Sequence, residues 1–162
     1  MNIIYMERAL KLAETAFHLG EVPVGSVIVR KNTGEIIGEG YNLRESDKNA
    51  LAHAEIIAIN QACRTLGGWR LPECEMYVTL EPCPMCCGAL INSRIDDIFF
   101  GAYDKKSGSA VSVQKMFELP YNYRPNVTGG VMQEECSALL SAFFRELRVR
   151  KKNFLENNSD IP

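Results

Sequence analysis

Apolar residues recur at helical spacing near the start of the chain. Met6, Leu10, Ala13 and Phe17 share one face, and Gly20 closes that predicted helix. The pattern then changes to that of strands. VGSVIVRK (24–31) and IIGEGYN (36–42) are apolar-rich runs joined through Asn32-Thr33-Gly34-Glu35, a hairpin signal. A polar loop, 43–49, leads into a second helix over 54–66. EMYVTL (75–80) predicts a short buried strand, 84–94 a third helix, and DIFFG (97–101) another strand. The stretch 102–125 is long, irregular and punctuated by Gly, Ser and Pro, with one helical turn expected near 113–117. Loops of that length in a compact domain are more often functional than accidental. NVTGGV (126–131) predicts the last strand, and 133–152 the last helix. Strands alternating with helices predict an α/β sandwich, with helices on both faces of a mixed sheet. No repeat or linker interrupts the pattern, so one domain is expected over 1–156, followed by a frayed tail, 157–162.

Composition narrows the class. The 162 residues are 46% hydrophobic and 23% charged, the profile of an ordinary globular protein with a core of its own. A formal net charge of −2 gives no bulk attraction for nucleic acid, so any such binding needs a local basic patch. Glu7 and Arg8 interrupt the segment where a signal peptide would be apolar, and no run reaches membrane-spanning length. A cytoplasmic protein without membrane contact is expected. In that setting clustered cysteines point to metal or catalysis rather than disulfides. Cys63, Cys74 and Cys136 stand alone and are read as small buried hydrophobes.

Two stretches carry the candidate chemistry. In LEPCPMCCGAL (80–90), Pro84 suits the first position of a helix, placing Cys83 at its N-cap and Cys86 one turn further in. The positive end of a helix favours thiolate at both. That alone serves a thioredoxin- or glutaredoxin-like dithiol as well as two ligands of a zinc ion. The chain has two histidines, His18 and His53, and one C-x-x-C, so neither a Cys2His2 finger nor a four-cysteine ribbon can form. Cys87 is turned by about 100° from the face of Cys86. His53, Cys83 and Cys86 remain as three ligands with an open fourth position, the catalytic pattern. In LAHAEIIAI (51–59), His53 and Glu55 could not share a target inside a regular helix, where residues two apart diverge by about 200°. They can if His53 stands at the helix mouth and Glu55 in its first turn. A glutamate so placed is a proton shuttle rather than a ligand. Each residue also has an ordinary reading, His53 as a helix-start polar group and Glu55 as dipole chemistry.

H-A-E followed by E-P-C-P-M-C resembles the H-x-E…P-C-x-x-C signature of zinc-dependent base deaminases. EVPVGSVIV, GEGYN, AHAEIIAI, YVTLEPCPMCCGALINSRI, FGAYDKKSG and LLSAFFRELR resemble consecutive blocks of the bacterial tRNA-specific adenosine deaminases, from about Glu21 to Arg150. The resemblance implies a cytidine-deaminase-like fold, a three-layer α/β/α sandwich on a five-stranded mixed sheet. It implies one Zn2+ per chain on His53, Cys83 and Cys86, Glu55 as the proton shuttle, and Asn42 as a hydrogen-bonding partner of the target base. It further implies a homodimer acting on the wobble adenosine of a tRNA anticodon stem-loop. Two positions depart from common relatives: NALAHAE stands where D-P-T-A-H-A-E is frequent, and Tyr123 where His is frequent, a residue still able to stack on a base.

Phosphate contacts would come from local basic clusters. Lys105 and Lys106 lie on the long loop, and Arg148 belongs to a cationic run on the last helix. The ordinary reading of the latter is a solvated helix end. Three rivals remain open: a zinc deaminase of free guanine, cytosine or a nucleoside; a dithiol oxidoreductase using Cys83 and Cys86 alone; and a zinc-bearing binding module, against which Glu55 argues.

Overall fold

The computed structural model describes residues 1–159, with 156–159 as backbone alone. Its elements, in chain order, are α1 (Ile3–His18), β1 (Gly25–Arg30), β2 (Glu35–Tyr41), α2 (Ala54–Leu66), β3 (Cys74–Leu80), α3 (Pro84–Ser93), β4 (Asp97–Ala102), a 3-10 turn (Met116–Glu118), β5 (Asn126–Gly129) and α4 (Gln133–Ser159). The five strands form one sheet in the order β2-β1-β3-β4-β5. β1 is antiparallel to both β2 and β3, whereas β3, β4 and β5 run parallel. The sheet is therefore mixed, as its alternation with helices predicts.

Helices cover both faces. On one, Ala58, Ala62, Cys87, Leu90 and Ile91 of α2 and α3 pack on Ile28, Met76, Val78, Ile98 and Phe100. On the other, Met6, Ala9 and Leu12 of α1 and Cys136 of α4 pack on Val27, Val29 and Tyr77. The parallel strands β3 and β4 are apolar on both sides because helices bury both faces.

Three expectations shift. The buried stripe of α1 is Met6, Ala9, Leu12, Ala13 and Ala16, with Leu10 and Phe17 at its margins. The alanines are needed because α1 lies so close to β1 that a Cβ on Gly25 would sit 2.0 Å from the Ala9 carbonyl oxygen. The helical turn expected near 113–117 falls at Met116–Glu118. α4 continues to Ser159, past the Lys152 expected for its end, so the expected tail begins inside a helix; residues 160–162 lie outside the described residues.

Candidate active site

Three elements deliver the candidate residues to one place. Gly38 and Gly40 of β2 let α2 settle directly on the strand. A Cβ on Gly38 would lie 2.3 Å from the Ala58 carbonyl oxygen, and one on Gly40 2.2 Å from that of Ala54. His53 is the extended N-cap of α2, and Glu55 occupies its first turn. The mouth-and-first-turn arrangement that lets the pair share a target is present. Cys83 is likewise the extended N-cap of α3, with Pro84 opening the helix and Cys86 within its first turn. The Cys87 N–H donates to the Cys83 carbonyl at 2.9 Å, closing that turn.

The side chains converge. His53 Nδ1 lies 3.7 Å from Cys83 Sγ and 3.6 Å from Cys86 Sγ. The three ligand atoms all lie within 4.8 Å of one another, and they are the one such group found among the described residues. A tetrahedral ion bonded to sulfur at about 2.3 Å and to nitrogen at about 2.0 Å requires an N···S separation of about 3.5 Å. The donor set therefore fits zinc in both chemistry and spacing. Its geometry also leaves an approach open from the cavity, which His53, Cys83 and Glu55 line together.

The electrostatics follow from the same contacts. Cys83 is pushed down to about 4, chiefly by its hydrogen bond with Cys86, against its own burial and with help from His53. Burial pushes the Glu55 carboxyl above the ordinary range, and the Cys83 sulfur adds to that rise. A raised carboxyl holds its proton more tightly than an exposed one, the direction that suits a group which takes up a proton and returns it. The dithiol reading makes no use of His53 or Glu55, yet both stand against the sulfurs.

The cavity is about 540 Å3 and opens at the carboxyl ends of β3 and β4, where parallel strands commonly present ligand sites. Asn42 lines it and is 8% exposed. Its Nδ2 donates to the Val22 carbonyl at 3.3 Å and its Oδ1 accepts the Arg44 N–H at 3.4 Å. Those bonds use one donor and one acceptor of an amide that has two of each. Lys105 and Lys106 line the same cavity, whereas Arg148 sits exposed on α4 and does not. Tyr123 is committed elsewhere. Its hydroxyl donates to Asp96 at 2.8 Å beside the start of β4, and the Arg94 guanidinium lies 5.2 Å from its ring centre.

Sequence reasoning passed over two buried carboxylates. Glu21 accepts the N–H groups of Ser46 at 2.6 Å and Glu45 at 3.1 Å, fixing the wall that carries Arg44. Glu81 accepts those of Asp104, Val111 and Ser112, fixing the opposite wall. Burial would raise the Glu81 carboxyl, but the Ser112 hydroxyl and these N–H donors outweigh it and hold it below the ordinary range. An acidic residue wedged between apolar Leu80 and Pro82 is the one local sign, and it names no partner.

Known proteins resemble the chain throughout. The MafB19-like deaminase family profile matches residues 2–148. The tRNA-specific adenosine deaminase of Bacillus subtilis is 47% identical over 158 residues, covering 97% of each chain. A structure solved in a study of A-to-I editing by tRNA:A34 deaminases at the wobble position matches with a TM-score of 0.82. It is 37% identical, covering 85% of this chain and 99% of that one. Guanine deaminase of Bacillus subtilis matches less well, with a TM-score of 0.61 and 34% identity, covering 79% of this chain and 84% of that one.

Proposed function

Because the chain belongs to the family of tRNA-specific adenosine deaminases, we propose that it converts the wobble adenosine of a tRNA anticodon loop to inosine by hydrolysis. The observation that carries this reading is the convergence of His53, Cys83 and Cys86 at metal-ligand spacing beside a buried Glu55, at one cavity. One Zn2+ per chain, held by those three residues, would supply the Lewis acidity that makes water a usable nucleophile near neutral pH.

Glu55 handles the protons. Its carboxylate takes one from the attacking water and delivers it to ring N1 as oxygen adds to C6 of the adenine. It then moves the hydroxyl proton to the departing amine. The C–N bond breaks, ammonia leaves, and C6 keeps the oxygen as a carbonyl. Asn42 is oriented by the Val22 carbonyl and the Arg44 N–H, and its remaining donor and acceptor suit a purine edge. The target base must leave the stack to reach this cavity, which an unpaired anticodon loop makes cheaper. Lys105 and Lys106 at the rim suit the flanking phosphates, while Arg148 would act only on RNA lying outside the cavity.

No helix among the described residues is long and apolar enough to cross a membrane. A cytoplasmic homodimer is the proposed working form, with the half-buried Met85, Gly88 and Ala89 of α3 offering the second copy an apolar face. Free-base deamination remains the rival, through the likeness to guanine deaminase. Incubating the purified protein separately with a tRNA pool and with guanine or cytosine, reading inosine and ammonia, decides between them. Inosine in tRNA is expected. Rapid ammonia release from a free base, with no inosine in any tRNA, would overturn the proposal.

A further inference from the structure

Glu81 is 2% exposed, lines the cavity, and is two residues from Cys83. Its Oε1 accepts the N–H groups of Val111 and Ser112, both at 2.8 Å. Its Oε2 accepts the Asp104 N–H at 3.0 Å and the Ser112 hydroxyl. A carboxylate has about four lone-pair sites, so these four bonds saturate it. Glu81 has no capacity left for substrate or for proton transfer. Its bonds go instead to both ends of one loop, Asp104 at the start and Val111-Ser112 at the finish.

The tip between those ends carries Lys105 and Lys106. It is folded on itself by the Asp104 carboxylate, which accepts the Lys106 N–H at 2.9 Å, and by the Gly108 N–H to Asp104 carbonyl bond at 2.9 Å. It is also stitched to the short segment between β3 and α3 that leads into Cys83, the Ser109 N–H donating to the Pro82 carbonyl at 2.8 Å. Packing at this junction leaves no slack: a Cβ on Gly108 would lie 2.4 Å from the Glu81 carboxylate.

We propose that Glu81 is a positioning residue for RNA binding: it straps the 104–112 loop to the Cys83 segment and so holds Lys105 and Lys106 at a fixed place over the cavity. The inference rests on the RNA-editing reading above. In Glu81→Gln the side chain keeps its volume, but an amide nitrogen in place of Oε2 is a donor: the Asp104 N–H loses its acceptor, and the Ser112 hydroxyl must turn from donating to accepting. The loop is then released at one end while the metal ligands keep their helix.

The test is steady-state kinetics on an anticodon stem-loop RNA. Metal content, thermal melting, and exchange of the Asp104, Val111 and Ser112 amides are measured on the same samples. Glu81→Gln is expected to raise KM about tenfold with kcat changed less than about threefold, with metal retained and those three amides exchanging faster. Ser112→Ala, which removes one of the four bonds, should raise KM by a smaller factor. Gly108→Ala attacks the strap from the loop side and should give the same KM-dominated loss, which keeps the test available if Glu81→Gln does not fold. A KM within about twofold of wild type in every folded variant would overturn the inference. So would a loss confined to kcat, since Glu81 would then act through Cys83. A wild-type protein that forms no inosine in the stem-loop would overturn the RNA reading and this inference with it; normal wild-type turnover with unaffected variants sinks only the inference.

Discussion

Gly40 and Ala54 meet without room for a methyl group: a Cβ on Gly40 would lie 2.2 Å from the Ala54 carbonyl oxygen. Ala54 follows His53 directly and opens α2, so a side chain at position 40 would lift the helix mouth that aims His53 and Glu55. Gly40→Ala is expected to cost about 2 kcal/mol of stability and to lower metal occupancy. Chemical denaturation and metal analysis of the purified variant check it. An unchanged midpoint with full metal content would mean that β2 and α2 are less tightly engaged than described.

Metal and turnover should separate between Cys83 and Glu55. Cys83→Ser should lose most of its zinc, because a hydroxyl is a poor substitute for the thiolate. Glu55→Ala should keep zinc yet lose roughly a thousandfold in turnover, since both proton transfers pass through that carboxyl. The decisive measurement is zinc per chain beside inosine formed. A Glu55→Ala variant active within a few-fold of wild type would rule out the proton role assigned to it.

Binding of anticodon stem-loop RNA should weaken with salt, at about −0.7 in log–log slope per phosphate neutralised on a single strand. Lys106→Ala should flatten that slope by about one such increment and leave zinc content alone. Arg148→Ala should change it less, because Arg148 is not part of the cavity lining. Equal effects of the two would mean that the bound RNA extends from the cavity rim to α4.

Acid should loosen the Asn42–Arg44 wall through Glu21, which is 1% exposed. Burial would raise this carboxyl, but hydrogen bonds from Ser46 and Glu45, helped by Arg44, hold it below the ordinary 4.5. The unfolded chain therefore takes up this proton first as pH falls. The contribution is fully present above about pH 4.5 and is lost as pH drops through the lower, folded value. Glu21→Gln should be less stable at neutral pH, and its stability should change less across that acid window. Parallel stability–pH curves for the two proteins would refute the assignment.

The apolar outer face of α3 predicts a homodimer. Met85→Glu, on that face and half-buried in the single chain, should shift the protein to monomer in sedimentation at micromolar concentration. Wild type sedimenting as a monomer while editing RNA would remove the dimer from the proposed function.

Local chemistry in the sequence determined a good deal by itself. H-x-E at a helix mouth and P-C-x-x-C at another place three ligands within a turn of helix N-termini, and Pro84 fixes where α3 begins. Strand and helix identities follow from residue type and period: α1 carries a one-sided apolar stripe, while β3 and β4, buried on both faces, are short continuous apolar runs. Only tertiary structure decided the rest. Glu81 bonds to residues 23 to 31 positions away, and such a pairing leaves no periodic trace in a chain. The same holds for Glu21 with Ser46, and for the difference between Lys106 at the cavity rim and Arg148 beyond it. Leu10 and Phe17 fit a helical stripe in sequence, yet the face that α1 buries was chosen by its close approach to Gly25, where alanine fits and a larger side chain does not.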